Sequence, residues 1–137
     1  MTRYRIAGIL MLIHGGLMEL LVGLAVIPLL LADVAQESIG EHFSFIVPYL
    51  QDNLYLMMVM SAIFGVIRIV GAIGVLRNRM WGLALSVINC VVTLALMIFL
   101  LPAGIADGLL AGTALVLMLT AYFGDRPIVG VAEATSR

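Results

Sequence analysis

Charged side chains are scarce in this sequence, and lysine is missing altogether, because all seven basic residues are arginine. Only 11% of the 137 residues are charged, 64% are hydrophobic, and the mean hydropathy is +1.20. An ordinary soluble domain has about a quarter charged residues and about half apolar ones. The composition therefore excludes a typical soluble domain and indicates a membrane protein.

The usual signatures of catalysis are also missing. The single cysteine, Cys90, excludes an intramolecular disulfide and a CxxC redox centre, and we interpret it as a small core residue. The sequence contains no HExxH, GxxxxGK[ST] or GxSxG motif and no acidic cluster suited to a catalytic metal. We therefore expect no enzymatic activity, no cofactor and no metal site. Nothing in the composition favours a nucleic-acid partner, so the expected partner is the lipid bilayer.

Four long apolar runs account for most of the chain. A helix of about 20 apolar residues crosses a bilayer core of ~30 Å, because its internal hydrogen bonds satisfy the backbone where water is absent. The predicted spans are residues 6–32, 54–76, 80–101 and 104–123. The sequence thus predicts an all-α membrane protein, a four-transmembrane-helix bundle that forms a single domain over residues 1–137.

The distribution of arginine predicts how the bundle is oriented. Apart from one arginine inside span two, the basic residues lie before span one, between spans two and three, and after span four: Arg3, Arg5, Arg77, Arg79, Arg126 and Arg137. The connectors 33–53 and 102–107 contain none. By the positive-inside rule, both termini and the 77–79 turn are cytoplasmic, and the acidic 33–53 connector lies outside.

The 33–53 connector has the pattern of a short helix. Ser38 is followed three residues later by Glu41, which is a capping-box spacing. Apolar residues then recur at helical intervals, namely Ile39, Phe43, Ile46, Val47 and Leu50. We predict a short amphipathic helix on the outer membrane surface. Pro48 would end this helix and could begin the second span.

Small residues form a stripe along each span. Lipid gives helices no hydrophobic reason to associate, so such stripes mark where backbones approach closely. The glycines that we assign to helix packing are Gly15, Gly16, Gly23, Gly65, Gly104, Gly108 and Gly112. The last three form a doubled GxxxG motif, for which packing within the chain is preferred over dimerisation. A homo-oligomer or a larger membrane complex stays open.

Three ionisable residues lie inside the predicted spans. At ~1.5 Å per residue, His14 and Arg68 each lie about 12 Å from the inner end of their spans, and Glu19 lies about 20 Å from it. A charge at this depth normally finds a partner, because leaving it in lipid costs about 2.5–3.5 kcal/mol. Spans one and two form an antiparallel hairpin, so we predict an ion pair between Arg68 and Glu19.

This ion pair has two interpretations. In the first, it only fixes helix register, or Arg68 extends towards the inner surface while Glu19 is protonated. In the second, Glu19 and His14 bind a cation or carry a proton, Arg68 tunes them, and Asn89 and Thr93 complete a polar pocket. Asp107 and His42 are expected to be simply solvated.

The stretch GVLRNRMWG, residues 74–82, resembles the Arg-x-Arg-x-Trp-Gly turn between helices of small bacterial four-span families of unknown function. The resemblance covers about nine residues and the span count. It implies a bacterial inner-membrane location and no particular activity. In size and span number the chain is also similar to the small multidrug resistance exporters, whose proton-coupled glutamate Glu19 could match. It departs from them in lacking an aromatic-lined site and in its strong charge bias.

Two functions of different classes follow. The sequence favours a non-enzymatic structural or accessory membrane subunit. The alternative is a small proton- or ion-coupled transporter or ligand-binding protein that uses Glu19, Arg68 and His14. A dry, fully paired site would support the first function, and a water-accessible site at Glu19 would support the second.

Overall fold

Four long helices dominate the computed structural model, which describes residues 2–42 and 45–124. Within those residues the chain is helical, apart from turns and one isolated bridge between Phe45 and Pro102. As predicted, four helices are long and apolar enough to cross a membrane: Arg3–Leu31, Leu54–Leu76, Met80–Met97 and Ile105–Gly124. The fold is that of a multi-pass membrane protein. Arg126 and Arg137, which support the predicted orientation, lie outside the described residues.

The first span is a composite helix. It consists of α1 (Thr2–Ile13), a π-helical segment (His14–Leu20), α2 (Leu21–Leu24) and α3 (Val26–Leu31). The interruption at Ala25 follows from Pro28, whose ring clashes with the carbonyl four residues earlier and removes one helical hydrogen bond. The span ends at Leu31, and Asp33, two residues later, has a φ of 50°, which is typical of the residue that follows a helix C-cap.

The described part of the connector, residues 33–42 and 45–53, contains two five-residue helices and not the one longer helix that the sequence predicts. These are α4 (Gln36–Gly40) and α5 (Pro48–Asp52). Ser38 is not the N-cap, because Ala35 has that position and the Ser38 hydroxyl donates to the Ala35 carbonyl at 2.7 Å. Pro48 begins α5, and Asn53 separates α5 from the second span. Phe43, part of the predicted apolar face, lies outside the described residues.

Tertiary hydrogen bonds explain why residues 45–47 are not helical. The Ile46 amide donates to the Leu101 carbonyl at 3.0 Å, and the Phe45 amide donates to Gln51 Oε1 at 3.2 Å. The connector is therefore tied to the turn that precedes the fourth span. This tie draws the backbone away from the local hydrogen bonds that a helix would need.

The second and third spans are α6 (Leu54–Leu76) and α7 (Met80–Met97), and the fourth is α8 (Ile105–Gly124). α6 ends in a Schellman motif at Asn78, which has a φ of 53°. There the Arg79 amide donates to the Gly74 carbonyl at 2.9 Å. Helix α7 ends four residues before the predicted end of span three, where residues 98–104 form turns around Pro102.

The four spans form a closed ring. α1 and the π-helical segment pack against α6, α6 packs against α7, α7 against α8, and α8 returns to α1. The centre is filled by a buried apolar cluster of Tyr4, Ala7, Met11, Ala72, Val75, Leu83, Cys90, Ala111, Ala114, Met118 and Ala121. Large apolar side chains such as Leu17, Ile88 and Phe123 point outwards, as a lipid-facing surface requires.

Several glycines allow backbones to touch. A Cβ at Gly65 would lie 2.8 Å from the Gly15 carbonyl oxygen, and one at Gly23 would lie 2.5 Å from the Ala62 amide nitrogen. Gly15, Gly65 and Gly23 thus seat the first span directly on α6. By contrast, Gly16 faces open space, so it makes no close helix contact.

Gly104, in the turn before α8, and Gly108 and Gly112 of α8 lie near α7 of the same chain. A Cβ at Gly104 would lie 3.0 Å from the Met97 carbonyl oxygen, and one at Gly108 would overlap the Met97 side chain. Gly112 has only an ordinary contact, at 3.7 Å from Leu94 Cδ2. The doubled GxxxG motif is therefore used for helix packing inside the bundle over its first two glycines.

Candidate functional site

The Arg68 guanidinium connects three of the four spans. Arg68 is fully buried, and its Nη2 lies 2.8 Å from Glu19 Oε1 on the first span. The same Nη2 donates to Thr93 Oγ1 of α7 at 2.5 Å, and Nη1 lies 2.5 Å from His14 Nδ1. The ion pair with Glu19 expected from the sequence is therefore formed. Charge-assisted bonds of this kind are the strong class of protein hydrogen bond.

The π-helical segment brings His14 and Glu19 to the same face. In an α-helix, residues five apart point about 140° away from each other. The i→i+5 bonding of a π-helix widens each turn, so residues at that spacing lie one above the other. His14 Nε2 consequently lies 4.0 Å from Glu19 Oε1, and both residues are buried. One of the two interpretations of the sequence placed Glu19 and His14 in one site, but the π-helical turn that brings them together was not predicted.

Asp107 of α8 joins the site through His14. Its Oδ1 lies 2.9 Å from His14 Nε2, and its side chain is 31% exposed, against 11% for Glu19. The expectation that Asp107 is simply solvated does not describe this contact. A signal was present in the sequence, because Asp107 precedes Ala111, Ala114 and Met118 at intervals of four, three and four. That spacing places it on the buried face of α8.

The hydrogen-bond donors determine the tautomer of His14. A guanidinium only donates, so His14 Nδ1 must accept from Arg68 and carry no proton. The ring proton is then on Nε2, where it is donated to the Asp107 carboxylate. His14 is thus neutral in this arrangement. When both carboxylates are ionised, the site holds one guanidinium against two carboxylates, a surplus of one negative charge.

Four buried polar atoms at or near this site have no hydrogen-bond partner among the described residues. They are Glu19 Oε2, Arg68 Nε, Asn89 Oδ1 and Ser86 Oγ. Thr93, predicted as a site residue, contacts Arg68 directly. Asn89, also predicted, is buried with its carbonyl oxygen unpaired, and Ser86 was not predicted as a site residue. Buried polar groups are normally satisfied, so these atoms mark places where a small ligand can bind.

The glycines beside the site let the charged side chains approach. A Cβ at Gly65 would lie 3.1 Å from Glu19 Cβ, and one at Gly15 would lie 3.1 Å from Arg68 Cβ. A larger residue at Gly65 would push the π-helical segment away from α6, because its Cβ would lie 2.8 Å from backbone atoms of Gly15 and Leu20. Among the described residues, no group of three His, Cys, Asp or Glu side chains is arranged to hold a metal ion.

Comparison with known proteins adds no assignment, because no protein-family model, curated protein or solved structure matches this chain. The resemblance of residues 74–82 to small bacterial four-span proteins stays a prediction. Function must therefore be inferred from the chemistry of the site itself. That chemistry consists of two carboxylates, a neutral imidazole and one guanidinium within a single hydrogen-bonded group.

Proposed function

We propose that this chain is a small multi-pass membrane protein that binds and releases a proton at its Glu19, Arg68, His14 and Asp107 site. This is the proton-coupled transporter or ligand-binding function that the sequence left as an alternative. One observation carries it: the site holds one carboxylate more than Arg68 can neutralise. A proton bound to either carboxylate removes the surplus charge, and a proton needs no additional space.

His14 links the two carboxylates in this proposal. Its Nε2 lies 2.9 Å from Asp107 Oδ1 and 4.0 Å from Glu19 Oε1. When a proton binds the more exposed Asp107, that carboxylate no longer attracts the Nε2–H as an anion. The ring can then turn its single proton towards Glu19. The occupancy of one carboxylate thereby affects the proton affinity of the other, which is how coupled titrating sites behave.

The test is a site-resolved pH titration of the Glu19 carboxyl carbon by NMR, with the full chain in lipid bilayers. We expect the Glu19 resonance to titrate and its midpoint to move in Asp107→Asn. The matched control is Asp52→Asn, because Asp52 is exposed in the connector and should leave the midpoint unchanged. A Glu19 resonance that does not titrate, or that ignores Asp107→Asn, would contradict the proposal.

A structural or accessory subunit is the second candidate function. The observation in its favour is that the Arg68–Glu19 pair joins the first span to α6 at a point where glycines bring the backbones together. A purely structural pair would be expected to satisfy its buried atoms, whereas Glu19 Oε2 and Arg68 Nε have no partner among the described residues. For this reason we prefer proton binding. No enzymatic activity is part of either proposal.

The proposed location is a bacterial inner membrane with both termini cytoplasmic. The arginine distribution supports this orientation, since the exposed Arg77 and Arg79 lie in the α6–α7 turn at one end of the bundle. The connector with its two short helices would then lie at the outer surface. In this orientation Asp107, the third residue of α8, is near the outer end of its span.

A further inference from the structure

A row of polar residues on α7 continues beyond the site. Thr93, Asn89 and Ser86 are spaced by four and three residues, so they lie on one face of the helix, and all three are buried. Thr93 contacts Arg68. Asn89 and Ser86 lie about 6 Å and about 10 Å further along α7, towards the end that carries the α6–α7 turn.

The facing surface of α6 has a glycine, Gly71, directly opposite Ser86. A Cβ at Gly71 would lie 2.7 Å from Ser86 Oγ, so the serine hydroxyl occupies space that any other residue at position 71 would fill. Ser86 Oγ, Asn89 Oδ1 and Arg68 Nε are buried and have no hydrogen-bond partner among the described residues. Three unpaired polar atoms on adjoining helix faces are unfavourable unless something small binds to them.

The row ends at a tight contact between backbones. A Cβ at Gly82 would lie 2.4 Å from Gly74 Cα, so α6 and α7 touch directly at that level. Leu83 and Val75, both buried and apolar, lie beside this contact. Beyond Ser86 the route towards the α6–α7 turn is thus closed by close packing.

We propose that Ser86, Asn89 and Arg68 Nε bind water molecules, which form a second arm of the proton route that begins at Asp107. The inference rests on the proposed proton binding and adds to it a passage towards the other side of the membrane. Water fits the three groups, because they supply an N–H donor, an amide oxygen and a hydroxyl that both donates and accepts. The Gly74–Gly82 contact closes this arm in the observed conformation.

Accessibility of thiols to Ag⁺ tests the inference, because this small ion reacts with thiolates and needs water to reach them. Asn89→Cys and Ser86→Cys are each made with Cys90→Ala, and the native chain with only buried Cys90 is the control. After Ag⁺ treatment in liposomes, remaining thiols are counted by alkylation in SDS. We expect both introduced thiols to react at least about tenfold faster than Cys90, which faces apolar neighbours.

Equal, slow reaction of all three thiols would overturn the inference. If a substituted chain does not fold, the unmodified protein gives the answer through water-edited NMR. Labelling with ¹⁵N-asparagine marks three side-chain amides, those of Asn53, Asn78 and Asn89. Transfer from water to the Asn89 amide supports hydration, and transfer only to the exposed Asn78 and the half-buried Asn53 refutes it. Neither result depends on Glu19, so failure of the water arm and failure of proton binding at Glu19 remain distinguishable.

Discussion

At the scale of single residues, Arg68 is the side chain on which the site depends. It is fully buried in the centre of the bundle and donates to groups on the first span and on α7. Moving an isolated charge into such surroundings is costly, and the cost is met only when good partners are present. Removing one member of the group should therefore harm the protein more than removing an exposed charge.

Arg68→Met should lower the free energy of unfolding by about 3–5 kcal/mol, because it leaves Glu19 buried without its counter-charge. The measurement is reversible SDS unfolding from mixed micelles. Arg77→Met is the matched control, since Arg77 is exposed in the α6–α7 turn and should change stability by less than about 0.5 kcal/mol.

The double variant Arg68→Met/Glu19→Leu sharpens this prediction. Replacing both members of a buried ion pair with apolar residues is often close to neutral. The double variant should therefore recover much of the stability that Arg68→Met loses. The single variant Glu19→Leu is measured alongside. If the stability loss of the double variant equals the sum of the losses of Arg68→Met and Glu19→Leu, the two side chains do not interact and the ion pair is refuted.

His14 should be neutral, with its proton on Nε2, because Nδ1 accepts from a guanidinium that can only donate. The ¹⁵N chemical shifts of the ring distinguish the two tautomers and the charged form. We expect a protonated Nε2 and an unprotonated Nδ1 at neutral pH, and we expect exposed His42 to serve as the reference. A proton on Nδ1 would mean that the Arg68–His14 contact is absent.

How well the site could be predicted differs from residue to residue. Counting depth along two antiparallel spans was enough to pair Arg68 with Glu19. His14 was counted at a depth close to that of Arg68, and one interpretation grouped it with Glu19, although α-helical geometry points the two side chains apart. Asp107 was assigned to solvent from its position near a span end, although its spacing from Ala111 placed it on the buried face.

At the scale of secondary-structure elements, the π-helical segment is what joins His14 to the site. Its i→i+5 hydrogen bonds cannot be read from a local pattern, because the same residues satisfy an α-helix equally well. The cause is tertiary: Gly15 and Gly65 allow close approach, and Arg68 holds both His14 and Glu19. π-helical turns in other proteins frequently occur at functional sites.

In the connector, too, tertiary contacts override what the local sequence pattern predicts. Its apolar spacing favours one amphipathic helix, but the bond from the Ile46 amide to the Leu101 carbonyl ties the middle of the connector to another part of the chain. Two short helices result. Local periodicity therefore identified helical content in this region but not its extent.

Gly23→Ala should destabilise the bundle by about 1–3 kcal/mol, because the added Cβ would lie 2.5 Å from the Ala62 amide nitrogen and 2.6 Å from the Met58 carbonyl oxygen. Backbone atoms cannot move aside as a flexible side chain can. Gly16→Ala is the control on the same span, since its Cβ would meet nothing within 4 Å. In thermal unfolding in detergent, the melting temperature of Gly23→Ala should lie well below that of Gly16→Ala. Equal melting temperatures would contradict the close contact.

At the scale of the whole molecule, four spans form a ring whose outer surface is apolar and whose interior holds a charged group beside the apolar cluster. The span count and approximate bounds followed from hydropathy, because a bilayer sets the length of a helix that crosses it. The order of packing, in which α8 returns to α1, could not be read from the apolar runs. It depends on which faces carry small residues and on the lengths of the connections.

Orientation in the membrane is tested with reporter fusions after Gln51 and after Arg79. The arginine distribution predicts that the first lies outside and the second in the cytoplasm. An alkaline phosphatase reporter should therefore be active only after Gln51, and a fluorescent protein should fold only after Arg79. The same reporter active at both positions would refute the orientation, and with it the outer position of Asp107.

The central claim is that Arg68 and Glu19 contact each other inside one chain within the bilayer. It is tested most directly by the ¹³C–¹⁵N dipolar coupling between the Glu19 carboxyl carbon and the Arg68 guanidinium nitrogens, with labelled protein diluted in unlabelled protein. A contact of 2.8 Å between Oε1 and Nη2 predicts strong dephasing of the Glu19 signal, which Arg68→Met should abolish. Absence of dephasing in a sample whose other signals match a folded bundle would contradict the claim.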